Sequence, residues 1–166
     1  MQIINFTVKE ILPALLDKSK TQTIRKGYIN FSEEKPPRFK VGEQVQIMWK
    51  QRSVYNTFTI LDGEQSLGFG EEGKDFFRKK LGTARITEVF KIYMFYPDPK
   101  DISHGVIQIF DDDGLVDIDD EDAFEDEIVK RDGFVNSHPF YRFFSKYFKG
   151  QQETLPFWVY RWEWIE

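Results

Sequence analysis

Lys20, Thr23 and Arg25 stand close together in the stretch KSKTQTIRKG, residues 18–27, which also carries Thr21, Lys18 and Lys26. A lysine amine can take the proton of a threonine hydroxyl, and the oxygen so activated can attack a carbonyl carbon. The amine does this only when uncharged, so burial or neighbouring cations must lower its pKa. A carboxylate from elsewhere in the chain has to hold the pair. Arg25, with Lys18 or Lys26, could bind a phosphate or a carbonyl oxygen. In an extended strand Thr21, Thr23 and Arg25 share one face, and Gln22 and Ile24 the other. Lys20 then approaches Thr23 only if it lies in a turn at the end of the preceding helix. The same residues also fit an exposed strand, rich in threonine for its β-propensity. The pattern leaves both readings open.

The elements that must position these groups can be placed from periodicity. MQIINF is expected as a first strand. Thr7 and Glu10 are spaced as a capping box, while Pro13 favours a helix starting near Leu12, with Leu12, Leu15 and Leu16 as its apolar face. TQTIRKG follows as a strand, then residues 41–49, residues 55–62 and residues 84–95 as further strands. A loop and a short helix at about 74–81 separate the last two. Residues 138–149 place Phe140, Phe143, Phe144, Tyr147 and Phe148 on one helical stripe, with Pro139 in the first turn and Gly150 at the end. The closing FWVYRWEWIE is a strand with Trp158, Tyr160, Trp162 and Trp164 on one face. About six strands and three or four helices without βαβ regularity predict an α+β domain around a small, mostly antiparallel β-barrel or curved sheet, with peripheral helices.

The 166 residues suit one domain, 1–166, with an aromatic core: Phe, Tyr and Trp make up 17% of the chain. Cysteine is absent, which excludes disulfides and thiolate chemistry. No leader peptide and no membrane span are read, so a cytoplasmic protein is expected. The net charge of −5 conceals an asymmetry. Residues 111–127 hold eleven acidic residues and no basic one; the other 149 positions hold 23 basic and 17 acidic residues, a net of +6. Such a body suits a nucleic-acid or nucleotide partner.

Two motifs fail on context. GFGEEG, residues 68–73, has dinucleotide-loop spacing but no strand leading into it, and Glu71 and Glu72 would face the phosphates. DDDG, residues 111–114, would need an acidic residue where Ile109 stands to form a calcium loop. His104 and His138 have no helical i, i+4 partner. No metal and no cofactor are expected.

Taken together, these residues resemble the ASCH family, small domains with a PUA-like β-barrel. The family marker is approximately G-x-K-x-x-E-x-R, at the end of the first helix and the strand after it. Lys20 and Arg25 match; Lys18 stands in the glycine position and Thr23 in that of the glutamate. FKVGEQVQIMW, GTARITEVFKI, KRDGFVNSHPFYRFF and the closing WEWIE are similar to later family segments, in order, which makes residues 63–82 and 97–126 expected insertions. KTQTIR is most similar to the branch that hydrolyses N4-acetylcytidine. The resemblance implies Thr23 as nucleophile, Lys20 as its base and Asp132 of RDGF as the orienting or acid–base carboxylate, one methylene shorter than that branch's glutamate. Thr21, Arg25 and Lys26 are then expected to contact ligand.

Three functions follow as expectations. The first is binding of RNA or a small nucleoside or nucleotide in a basic cleft. The second is an amidohydrolase acting on acylated cytidine. The third is a protein-interaction module using the acidic segment 111–127 toward a basic partner.

Overall fold

A computed structural model describes residues 1–30, 33–51, 77–111, 113–149 and 153–165. In chain order, strand β1 (Gln2–Phe6) leads through a 3-10 turn (Lys9–Ile11) into helix α1 (Leu12–Leu16). Strands β2 (Gln22–Lys26), β3 (Tyr28–Asn30), β4 (Glu33–Glu34), β5 (Gln44–Gln51) and β6 (Phe77–Phe95) follow. After β7 (Val106–Gln108), β8 (Phe110–Asp111) and β9 (Gly114–Leu115) come helices α2 (Glu121–Arg131) and α3 (Ser137–Phe144). A 3-10 turn (Ser145–Tyr147) and strand β10 (Leu155–Trp164) end the described chain.

The main sheet runs β1-β5-β6-β10-β2, with β7 paired to the far end of β6. Only the β1–β5 pair is parallel; β5–β6, β6–β10 and β10–β2 are antiparallel. The class is therefore mixed α+β around a mostly antiparallel sheet. Among the described residues no ladder joins β1 to β2, so the expected closed barrel is not seen. The two edges nevertheless meet through a side chain: Arg25 Nη2 on β2 donates to the Asn5 carbonyl on β1 at 2.9 Å. Register shifts at Ile47/Met48 and Arg161/Trp162 interrupt the ladders and add local twist to the sheet.

β10 lies between β6 and β2, and this position explains its composition. The expectation of one aromatic face gives way to burial on both sides. Phe157 and Val159 are buried on one face, Tyr160 and Trp162 on the other. Burying each such side chain is worth about 1.5–3 kcal/mol, which makes this strand the centre of the core. Helix α3 covers one side with Phe140, Tyr141 and Phe144, and Phe144 meets Phe157 edge-on at 5.6 Å between ring centres.

At the first helix Pro13 lies in the opening turn, as its fixed φ favours, but Ile11 is the N-cap and no side chain caps it. The Thr7–Glu10 capping box is absent because Thr7 lies in the link after β1 and Glu10 in the 3-10 turn, both before the helix begins. The short helix expected at 74–81 is corrected in part: Phe77–Leu81 belong to β6, and 74–76 lie outside the described residues. The strand expected at 55–62 and the GFGEEG loop also lie outside them. The stripe at 138–149 is helical through Phe144 and tightens into the 3-10 turn thereafter. Of the acidic block, residues 121–127 form the first turns of α2, where Glu121 and Asp122 complement the helix dipole and Asp120 caps Ala123 N–H at 3.0 Å. Among the described residues no helix is long and apolar enough to cross a membrane.

The end of α2 is set by Gly133, whose φ is +96°. Its N–H donates to the Lys130 carbonyl at 2.9 Å and that of Phe134 to Val129 at 3.2 Å, the paired bonds of a Schellman motif. A Cβ at Gly133 would also stand 3.2 Å from the Ile11 Cβ. Gly133→Ala is expected to cost about 1–3 kcal/mol, as forced left-handed backbone does. A lowered urea midpoint with an unchanged m-value would show it; an unchanged midpoint would mean that the turn has another conformation open to it.

Candidate functional site

The turn after α1 is what aims Lys20. Lys20 N–H reaches back to the Ala14 carbonyl at 2.9 Å, and Asp17 Oδ1 accepts from Ser19 N–H at 2.8 Å. Within this turn Lys18 has φ +64°, the left-handed region that glycine enters without strain. The residue standing where the family marker has glycine thus keeps glycine's conformation. Its ammonium lies 5.3 Å from the centre of the Trp164 ring, and Trp164 Nε1 donates to the Lys20 carbonyl at 3.0 Å.

From this turn Lys20 points inward and is 1% exposed. Its Nζ donates to the Asp132 backbone carbonyl and to Asp132 Oδ1, the latter at 3.2 Å. Asp132 is 5% exposed and caps the C-terminus of α2. The carbonyls at that end are fully used. Arg131 accepts from Thr21 N–H at 3.1 Å, and Ile128 from Asp132 N–H at 3.1 Å and from Gln22 Nε2 at 2.9 Å. The last turn of α2 is therefore docked against residues 20–22, and each carbonyl that the helix leaves unpaired finds a donor.

Lys20, Thr23, Arg25 and Asp132 all line one cavity of about 140 Å³, in the seam between β1 and β2. Its walls include Phe6 from β1, Phe134 after α2, and Phe143 and Tyr147 beside α3. Lys20 Nζ sits 5.0 Å from the Phe6 ring centre and the Arg25 guanidinium 5.2 Å from the same centre. Thr23 is buried, and its hydroxyl makes no hydrogen bond among the described residues. No hydrogen bond joins Lys20 to Thr23; the amine is engaged by Asp132. Thr21 does not line the cavity. It is a backbone connector, and Trp162 N–H donates to its carbonyl at 2.9 Å. Lys26 lies outside this cavity, in an adjoining one.

Burial governs the electrostatics. Desolvation lowers the Lys20 pKa to about 8, against the opposing charge and hydrogen bond of Asp132, with Arg25 adding to the lowering. Desolvation likewise raises Asp132, opposed first by Lys20, then by Arg25 and the Gln22 amide. The walls around Arg25 lower its pKa too. Arg25 still reaches solvent at the mouth, where water screens it, and its guanidinium remains charged. An amine with a lowered pKa, a hydroxyl without a hydrogen bond among the described residues, a carboxylate and a cation thus share one small space. They can transfer a proton, attack an electrophilic carbon and steady a developing negative oxygen.

Sequence reasoning passes over Gln22 and Arg161, which support the site from behind. Arg161 Nε donates to Gln22 Oε1 at 3.0 Å, while its Nη1 meets Glu88 at 3.4 Å and Glu127 at 3.6 Å. The available signal is a charged residue at the centre of an otherwise aromatic strand. His104 and His138, far apart in sequence, are also brought together, with ring centres 4.8 Å apart. Asp101 accepts from His104 Nδ1 at 2.6 Å. No group of three or more metal-binding side chains occurs among the described residues. Compared with protein-family models, with curated proteins and with solved structures, the chain finds no match.

Two predictions follow from this geometry. Lys20→Met and Asp132→Asn are each expected to cost about 3–5 kcal/mol, because each strands a buried group without its partner. The double variant should lose less than the sum; additive losses in a denaturation cycle would show that the pair is not coupled. In Lys20→Met the Asp132 pKa, raised above the unfolded value of about 3.9, makes stability fullest below that value and progressively lost as pH rises through the folded pKa. The second prediction concerns the turn. Lys18→Gly gains about 0.5–1 kcal/mol of backbone relief and gives up a cation–π contact worth about as much, so it should be near neutral. Lys18→Ala loses the contact without the relief and should lower the thermal midpoint. Equal midpoints for the two variants would contradict this partition.

Proposed function

We propose that this chain is an ASCH-type domain with a PUA-like arrangement, and that its seam cavity receives the base of a cytidine-type nucleoside carrying an N-acyl group, which Lys20, Thr23 and Asp132 hydrolyse. The observation that carries the reading is the burial of Lys20 and Asp132 in the same cavity as the Thr23 hydroxyl, which has no hydrogen bond among the described residues. Size agrees with it. A cavity of about 150 Å³ accommodates one six-membered ring, and this one holds about 140 Å³.

When ligand fills the cavity, Lys20 Nζ swings from the Asp132 carbonyl toward Thr23 and, uncharged, takes the hydroxyl proton. Thr23 Oγ1 bonds to the acyl carbon as the carbonyl π bond opens, and Arg25 faces the negative oxygen. The carbon–nitrogen bond breaks, the Lys20 ammonium returns its proton to the departing amine, and the acyl group is left as an ester on Thr23. A water molecule, deprotonated by Lys20, then cleaves the ester to release the carboxylic acid and restore the hydroxyl. Asp132 orients the amine throughout and stabilises it when protonated.

A second reading is binding without chemistry, in which the same cavity holds a nucleoside or an unpaired base of RNA. It is favoured by the engagement of the Lys20 amine with Asp132, without a hydrogen bond to Thr23.

Turnover of N4-acetylcytidine by the purified protein separates the two. Hydrolysis lost in both Lys20→Ala and Thr23→Ala, by about 10³-fold or more, is expected for a nucleophile and its base. The rate should rise about tenfold per pH unit and level off above the Lys20 pKa of about 8, because the protonated amine cannot accept a proton. Saturable binding of the nucleoside with no turnover would favour the second reading.

A further inference from the structure

A second cavity of about 420 Å³ adjoins the first and shares Asn5, Arg25 and Tyr147 with it. Arg25, Lys26, Lys35 and Arg38 line it, with no aspartate or glutamate in its wall. Among the described residues none of the four cations is in an ion pair. Arg25 donates to the Asn5 carbonyl, and Arg38 Nε to Gln2 Oε1 at 3.3 Å; the Arg38 guanidinium lies 5.1 Å from the Phe39 ring centre, and its Nη groups have no hydrogen-bond partner among the described residues. Lys26 lies 4.8 Å from the Tyr28 ring centre.

The backbone that carries the outer two cations is tied down on several sides. Lys35 N–H donates to the Gly27 carbonyl at 3.0 Å, and the Lys35 carbonyl accepts from Trp158 Nε1 at 2.8 Å. Arg38 N–H donates to Tyr160 Oη at 2.8 Å. Four like charges converging on an anchored wall repel one another, and an anion placed among them relieves the repulsion while gaining charge-assisted hydrogen bonds.

We propose that this outer cavity is a phosphate subsite, so that the ligand is a pyrimidine nucleotide: base in the inner cavity, phosphate against Arg25, Lys26, Lys35 and Arg38, sugar at the shared boundary. The proposal rests on the nucleoside reading above for the inner cavity and stands on its own residues for the outer one. The phosphate can belong to a free nucleotide or to an RNA strand, since both present the same oxygens.

Isothermal titration of cytidine, cytidine 5′-monophosphate, ribose 5-phosphate and the dinucleotide CpC, at low and high salt, tests it. Wild type is expected to bind the monophosphate at least about tenfold more tightly than cytidine, an advantage that shrinks with salt. The ratio should collapse toward one in Lys35→Gln/Arg38→Gln, with the thermal midpoint of that variant showing that it is folded. Equal affinity for cytidine and its monophosphate would overturn the phosphate subsite and leave the nucleoside reading intact. Binding of ribose 5-phosphate that is lost in the double variant, beside no binding of cytidine, would uphold the subsite and remove the nucleoside reading. Absence of binding by all four would overturn both. Tighter binding of CpC than of the monophosphate would assign the phosphate to an RNA strand; the reverse would assign it to a free nucleotide.

Discussion

A lysine without access to water needs an acceptor for its protons and a counter-charge close by, and this demand organises the structure. Lys20 and Asp132 are 112 positions apart, and each would be costly to bury alone. Their pairing holds the turn after α1 against the C-terminus of α2. The negative end of the helix dipole then faces the ammonium, and the neighbouring carbonyls take Thr21 N–H and the Gln22 amide. Three donors from the turn, the Lys20 ammonium, Thr21 N–H and the Gln22 amide, meet acceptors at the end of α2, so the two segments hold one relative position. The same burial that makes the pair demanding lowers the amine's pKa, so that it can act as a base.

The sheet supplies the second constraint. Its order leaves β1 and β2 as edges, and they approach closely enough for Arg25 to bond the Asn5 carbonyl without forming a backbone ladder. The seam left between them is lined by side chains and is where both cavities lie. A fully paired barrel would bury that space in hydrogen bonds between strands. Here the incomplete closure leaves an inner compartment, where Lys20, Arg25 and Asp132 stand among aromatic rings, and an outer one, where four cations stand beside Ile3, Ile4, Phe39 and Tyr160. Arg25 belongs to both.

Behind the seam the packing is dense with rings, and it holds a buried arginine. Arg161 occupies the centre of β10 with Gln22, Glu88 and Glu127 around it. Gln22 therefore has two tasks: its oxygen meets Arg161, and its nitrogen fastens α2. This links the charge in the core to the position of Asp132 through one amide side chain, and it gives the aromatic sheet a polar register mark of the kind that a purely apolar strand lacks.

Local chemistry determined what local chemistry can express. Pro13 marked the first helix, the phenylalanine stripe a buried helix face, and alternation the strands β2 and β10, whereas helix α2 and its stop at Gly133 emerged only in the structure. The short KTQTIR segment offered Lys20, Thr23 and Arg25 as candidates beside an exposed-strand reading, and the resemblance implied the roles and added Asp132; these four do line one cavity. Only the tertiary structure decided the rest. Whether a lysine is a solvated cation or a buried amine depends on how much of its surroundings comes from distant segments, here Phe6, Asp132 and Trp164. Thr21 shares its type with Thr23, yet it became a backbone connector because β10 and α2 claimed its carbonyl and N–H. Nothing local marks Lys35 and Arg38; the anchoring of their backbone to Gly27, Trp158 and Tyr160 places them in the same cavity wall as Arg25. Burial, pairing and convergence are sums over contacts between residues far apart in the chain, and short-range patterning carries no term for them.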